Sequence, residues 1–197
     1  QPKLMDKAMK EAAYALANKA DQFCNNTLQT GVSGTGDATG NRLSARTIGT
    51  GAGDSDAYET LVALGVKLKE ADVTGPMWCI IPPWYYGMFQ NDVRFTSYGT
   101  AENRATLANG KIGNVAGFEV SVSNNLSGAT AGTLATAGGV YTILAGIKEA
   151  ATYVEVAPPP EAFRPHDGRN DAVKIFLDYG AKVTRPYALA SVACTSA

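Results

Sequence analysis

A single histidine, three scattered cysteines and no excess of charge of either sign are this chain's clearest shortages, and each excludes a class of function. His166 stands alone in "RPHDGRND", beside Asp167 and between Arg164 and Arg169. A zinc site takes three or four His, Cys or carboxylate ligands in convergent spacing, and no such set occurs. His166 therefore reads as part of a polar turn after a proline spacer, not as a general base or metal ligand. Cys24, Cys79 and Cys194 include no CxxC pair, which suits reduced, mostly buried thiols of a cytosolic setting instead of a disulfide frame. Seventeen basic against eighteen acidic residues leave a net charge of −1 with no basic stripe, which argues against sequence-specific DNA binding. No apolar run approaches the ~20 residues of a membrane span, and no signal peptide opens the chain, so no membrane partner is expected. The sequence starts at Gln1, directly on a helical pattern, as a processed or truncated product would.

Catalytic signatures are missing as well. No strand–GxSxG–helix elbow occurs, and Ser33 in "GVSGTG" follows no apolar strand. "GTGDATGN" lacks both the Lys-Ser/Thr ending of a phosphate-binding loop and dinucleotide-binding spacing. Asp54 and Asp56 in "GAGDSDAYE" suggest calcium at first sight, but one is needed to cap the helix that follows, and an EF-hand requires more oxygen ligands. Asn25-Asn26-Thr27 and Asn125-Leu126-Ser127 fit the glycosylation pattern without a secretory context to give it meaning. No catalytic, metal-binding or cofactor-binding residue is expected, and no cofactor.

What is present is globular. The 197 residues, 45% apolar and 18% charged, suffice for one domain or two merged lobes with a real core. Met5, Met9, Ala12, Leu16, Ala20 and Phe23 recur at spacings of three and four and predict a helix over 3–28, about 39 Å long. Residues 30–54 turn to Gly, Ser, Thr and Asn and read as loop. A second helix starts near Asp56, with Glu59 placed as in a capping box and Tyr58, Leu61, Val62, Val66 and Leu68 on its apolar face. In "FEVSV" Phe118, Val120 and Val122 alternate with Glu119 and Ser121, as in a half-buried strand. Residues 127–139 read as another loop, "GIKEA" separates two strand-like runs, and "APPPEAFRP" is an extended spacer. "DAVKIFLDYGAK" and "VTRPYALASVAC" read as two strands around a turn at Gly180. Helices and strands do not alternate regularly, so the fold class is α+β.

The most distinctive stretch is "GPMWCIIPPWYYGMFQNDVRF", residues 75–95. Trp78, Trp84, Tyr85, Tyr86 and Phe89 crowd into it although aromatics are only 9% of the chain. Ligand pocket, nucleic-acid stacking platform and core are the three readings. "MWCII" fits a buried strand, Pro82 and Pro83 end its pairing, and Pro83 suits the first turn of a short helix carrying Tyr85, Met88 and Phe89. A stacking platform brings a basic groove, and the nearest basic residue in sequence to Trp84 is Arg94. Core is favoured.

"IIPPWYYGMFQNDVRF" followed by "ANGKIGNVAGFEVSVSNNL" resembles the major capsid proteins of tailed bacteriophages, in the branch near the P22 coat protein. The matching positions are Pro82, Pro83, Trp84, Tyr85, Gly87, Asp92, Arg94 and Phe95, then Gly110, Ile112, Gly113, Gly117, Phe118, Val120, Ser123, Asn124 and Leu126. "EAAYALANKADQ" is similar to that family's spine helix and "YGAKVTRPYALASV" to its terminal strands. The resemblance implies the HK97 fold, with 1–55 peripheral (spine helix and following loop), 56–155 mainly axial, and 156–197 return strands of the peripheral domain. It implies a non-enzymatic structural subunit that forms pentamers and hexamers around double-stranded DNA, enclosed without specific binding, with scaffolding protein and portal as further partners. Such a subunit is made in the bacterial host cytoplasm and resides in the virion. The family's N-terminal arm and extended loop have no counterpart here, so the chain alone is expected to be a monomer or small oligomer. A cellular nanocompartment shell of the same fold is the alternative; a small-molecule enzyme with its pocket at the aromatic cluster is a weaker one.

Overall fold

The computed structural model describes residues 2–34, 40–92, 94, 114–128, 133–136, 138–166 and 172–197, and the account below concerns these. Helix α1 runs Pro2–Gly31, longer at both ends than the apolar repeat predicts, and measures about 45 Å. Its last turns are polar, with the Thr27 hydroxyl donating to the Phe23 carbonyl and the Thr30 hydroxyl to that of Asn26. It stops at Gly31, where a Cβ would come within 2.3 Å of the Val183 side chain, so only glycine lets helix and strand meet. The apolar stripe is covered in part: Ala20 is buried and Met9 and Leu16 half-buried, while Ala12 and Phe23 are exposed.

The core is a six-stranded mixed sheet in the order β1–β10–β5–β2–β4–β3. These strands are β1 (Arg42–Ile48), β2 (Met77–Ile81), β3 (Asn114–Val115), β4 (Phe118–Val122), β5 (Tyr141–Ile147) and β10 (Leu189–Ser196). All seven residues of β5 are buried, as suits a strand flanked on both edges and covered on both faces. β2 pairs antiparallel with β5 and parallel with β4. The β3–β4 hairpin turns on Ala116 (φ 52°) and Gly117 (φ 85°), a two-residue connection with both residues left-handed, which accounts for the motif glycine.

Two further helices complete this body. α2 (Ala57–Glu70) starts where the capping residues predict, the Asp56 carboxylate accepting from the Tyr58 amide, and buries Leu61, Leu64 and Leu68. α3 (Pro83–Asn91) starts at the second proline and buries Tyr85 and Phe89. The remaining strands form a narrow projection: β6 (Ala151–Val156) pairs with β9 (Asp178–Val183), and beyond them β7 (Glu161–Phe163) pairs with β8 (Ala172–Lys174).

Four expectations need correction. The segment 30–54 is not all loop, because β1 lies within it, parallel to β10. Leu43 and Ile48 are its buried anchors, and a register shift between Leu43 and Arg46 erases the period-two pattern. The final strands do not form a hairpin at Gly180; that glycine sits inside β9 opposite Val154, and the chain turns instead at a 3₁₀ segment, Pro186–Ala188, before β10 joins the main sheet. Part of the proline spacer is strand, since Glu161–Phe163 pairs with Ala172–Lys174. In β4, Phe118 is buried but Val122 is exposed. β1 and β10 hydrogen-bond into the sheet that holds β2, β4 and β5. Gly110, Ile112, Gly113, Phe95, Asp167 and Arg169 lie outside the described residues.

Phe89 is fully buried and Trp84 only partly, so their removal should differ in cost. Phe89→Ala is expected to lower stability by about 3–5 kcal/mol and Trp84→Ala by clearly less. Urea unfolding midpoints measure both, and an unchanged midpoint for Phe89→Ala would contradict the core assignment.

Candidate assembly surface

The aromatic stretch is interior. Tyr85 and Phe89 have no exposed surface, and their rings meet edge to face at 5.3 Å. Trp84 packs edge-on to Tyr85 at 5.5 Å and to Tyr141 of β5 at 6.1 Å. The Tyr85 hydroxyl donates to the Ala57 carbonyl at 2.7 Å, tying α3 to the first turn of α2. Burial pushes the phenol far above its ordinary pKa, and burial likewise raises the thiols of Cys79 and Cys194, the latter to about 12. These groups stay neutral and packed, and no ligand reaches Tyr85 or Phe89. Met88 is half-buried.

The "SNNL" end of the long motif has a different task. After β4 the chain passes beneath α1, and Asn125 enters the helix's polar side. Its amide nitrogen donates to the Asp21 carboxylate at 2.7 Å and to Oδ1 of Asn18, while its own side-chain oxygen accepts from Gln22 at 3.4 Å. Asn25, 2% exposed, donates to the Asn125 backbone carbonyl. Ser123 donates to Asp21 and accepts from the Asn125 amide. Two turns along, the Gln29 amide donates to Gly128 O and Thr142 Oγ1, and Arg42 donates to Gln29 O at 2.9 Å. α1 is thus held to the sheet largely by hydrogen bonds. Asn25 and Asn125, which fit the glycosylation pattern, are both committed to this network.

Arg94 of the "NDVRF" element closes a second contact. Its guanidinium lies 2.6 Å from the Asp56 carboxylate and 3.3 Å from that of Asp92, and 5.0 Å from the Tyr58 ring centroid. Those carboxylates raise its pKa, hydrogen bonding to Asp56 first. Asp56 is therefore a helix cap with an ion-pair partner, and Asp54 accepts from the Gly51 amide. Among the described residues no cluster of His, Cys, Asp and Glu could hold a metal. His166 is exposed near the far end of the projecting ribbon.

Exposed large apolar side chains gather on the ribbon and α1, although Val62 and Val66 of α2, Val122, Leu134 and Tyr187 are also exposed. On the ribbon Val154 is 61% and Val156 58% exposed, with Phe163, Phe176 and Tyr179 also open, and on α1 Tyr14 is 74% exposed. Tyr179 reaches Phe23 of α1 edge-on at 5.2 Å. Between helix and ribbon runs an apolar groove of about 620 Å³, floored by Leu16, Ala17 and Ala20 and walled by Pro158–Pro160 and Phe176. Cys24 lies in it, its thiol pKa raised by burial and then by the nearby carboxylates of Asp21 and Glu155. Nothing in the sequence pattern marks this groove, since its walls lie more than a hundred residues apart.

A spine-like helix across a mixed sheet, with a narrow ribbon projecting beside it, sets the context for the comparisons. A family model described as phage capsid protein matches residues 2–192. The chain belongs to the phage capsid proteins. Among solved structures this capsid-family chain is similar to a chain of Mycobacterium phage Che8, at 24% identity and a TM-score of 0.68 over 94% of its own length and 61% of the other's. It is likewise similar to the capsid of cyanophage P-SCSP1u (16%, 0.64, covering 98% and 65%) and to the mature capsid of bacteriophage PhiM1 (13%, 0.63, covering 96% and 64%). The fold is thus the HK97-like α+β capsid fold that the motif resemblance implies. The chain spans under two thirds of the length of these relatives. No curated protein matches it. Membership of the capsid proteins marks it as a structural protein and not an enzyme.

Asn125→Ala removes the centre of the polar anchor while leaving Asp21, Asn18 and Gln22 facing emptied positions. The expected loss is about 2–4 kcal/mol, from several hydrogen bonds near 1 kcal/mol each. Amide hydrogen exchange over residues 18–29 should accelerate well beyond that of β5. Exchange in α1 unchanged from wild type would show that the helix is held by something else.

Proposed function

We propose that this protein is the wall subunit of an icosahedral phage head, assembling into pentamers and hexamers that close around double-stranded DNA with the help of a scaffolding protein and a portal. The observation that carries the reading is the distribution of apolar surface. The interior is complete without a ligand, yet the ribbon and the first half of α1 leave Val154, Val156, Phe163 and Tyr14 in water. Exposed apolar groups gathered on a ribbon and the helix beside it are what a subunit offers to neighbours. A net charge of −1 suits a wall that encloses DNA without gripping it. Virion residence, after synthesis in the host cytoplasm, follows from this role.

In this reading α1 and the β6–β9 ribbon form the peripheral part, and the six-stranded sheet with α2 and α3 the axial part. That division runs through space and not along the chain, since β1 and β10 belong to the sheet while the segments next to them belong to the periphery.

Expression from the complete coding sequence together with the scaffolding protein is expected to yield closed shells in electron micrographs. Residues 1–197 alone should elute as a monomer or small oligomer. Monomers alone from the complete protein, with scaffold present and at all ionic strengths, would sink the proposal; spontaneous shells from residues 1–197 would show the shorter chain to be sufficient.

A further inference from the structure

We infer that the groove between α1 and the ribbon docks a cationic amphipathic helix of a second protein, with apolar side chains in the groove and a lysine or arginine reaching Asp21 and Glu155. Three observations meet here. The floor is built of small residues, Ala17 and Ala20 beside Leu16, which lets a partner backbone come close. One wall is the triple proline Pro158–Pro160, so the groove is stiff before anything binds and little ordering is needed on this side. From Ala13 to Cys24 the lined stretch of α1 is about 16 Å, the length of three helical turns, which matches anchors at i, i+3 or i+4, and i+7.

Charge selects the occupant. Among the described residues Asp21 and Glu155 are the charged ones that line the groove, and no lysine or arginine does. Their partners are neutral: Asn125 and Ser123 for Asp21, and the Tyr153 hydroxyl, at 2.8 Å, for Glu155. Among the described residues neither carboxylate is in an ion pair. Lys174, the cation beside the groove wall, sits 4.3 Å from the Phe176 ring centroid and is held to that ring. An uncharged apolar segment would cover two carboxylates without compensating them, and an acidic one would be repelled. A cationic segment gains on both counts. A second copy fits less well, because the opening turns of its α1 carry Asp6 and Glu11 among Lys7 and Lys10 and would bring carboxylates to carboxylates.

The test uses a fluorescein-labelled helical peptide with leucines at i, i+4 and i+7 flanked by lysines, and its twin with glutamates for the lysines. Anisotropy titrations are run on wild type and on two variants checked by circular dichroism: Ala17→Trp, which fills the floor, and Glu155→Lys. The lysine peptide is expected to bind, to weaken as salt is raised, and to protect Cys24 from maleimide. The glutamate peptide, and the lysine peptide on either variant, should bind at least about tenfold more weakly. Equal binding of both peptides, binding of neither, wild-type affinity in Ala17→Trp, or unprotected Cys24 would overturn the inference. So would concentration-dependent self-association abolished by Ala17→Trp, which would make the occupant another copy of this chain. None of these readouts requires shell formation, so failure here is distinct from failure of the wall-subunit reading.

Discussion

One asparagine side chain decides how the longest helix lies on the sheet. Asn125 is a short polar group with two donors and one acceptor, and all three functions are taken by α1 through Asp21, Asn18 and Gln22. Hydrogen bonds are directional where apolar contacts are not, so this arrangement fixes the helix's rotation and register as well as its attachment. The ribbon's position follows, because β9 packs against α1 where Gly31 meets Val183 and Phe23 meets Tyr179. Everything the subunit presents at its periphery is therefore referred back to the turn after β4.

The aromatic corner plays the complementary role inside. A strand that must become a helix within two residues has to stop pairing and start coiling, and Pro82 and Pro83 do both, one by lacking a ladder donor and the other by presetting φ for a first helical turn. The rings that follow then fill the space between α2, α3 and β5, with the Tyr85 hydroxyl given the Ala57 carbonyl so that the buried phenol is satisfied. Edge-to-face pairs of this kind add about 0.5–1.5 kcal/mol each beyond area burial. The body is settled by packing and the periphery by polar geometry.

That difference explains what could be read from the residues alone. α2, β2 and α3 announce themselves through capping residues, apolar runs and prolines, all of them local signals. β1 does not, because it has two buried residues, an irregular register and a partner far away in the chain. β9 and β10 look like a hairpin since both are β-rich and a glycine lies between; only the sheet order shows that each has another partner. The polar anchor was visible as a motif, Ser123 to Leu126, but its meaning depends on Asp21, about a hundred positions earlier. The groove needs three segments to exist at all, so no window of sequence contains it.

The place of β10 in the sheet has a consequence for how the molecule comes into being. β10 lies between β1 and β5, and its Ser191 is registered against Arg42, roughly 150 positions earlier in the chain. Until the ribosome has released β10, the sheet has a gap at its second position, and β1 has nothing to pair with. A nascent chain is therefore unable to close this sheet before β10 has emerged. Closure of the core thus waits on one late and very long-range pairing: β1 cannot join the sheet before β10 has taken its place beside β5.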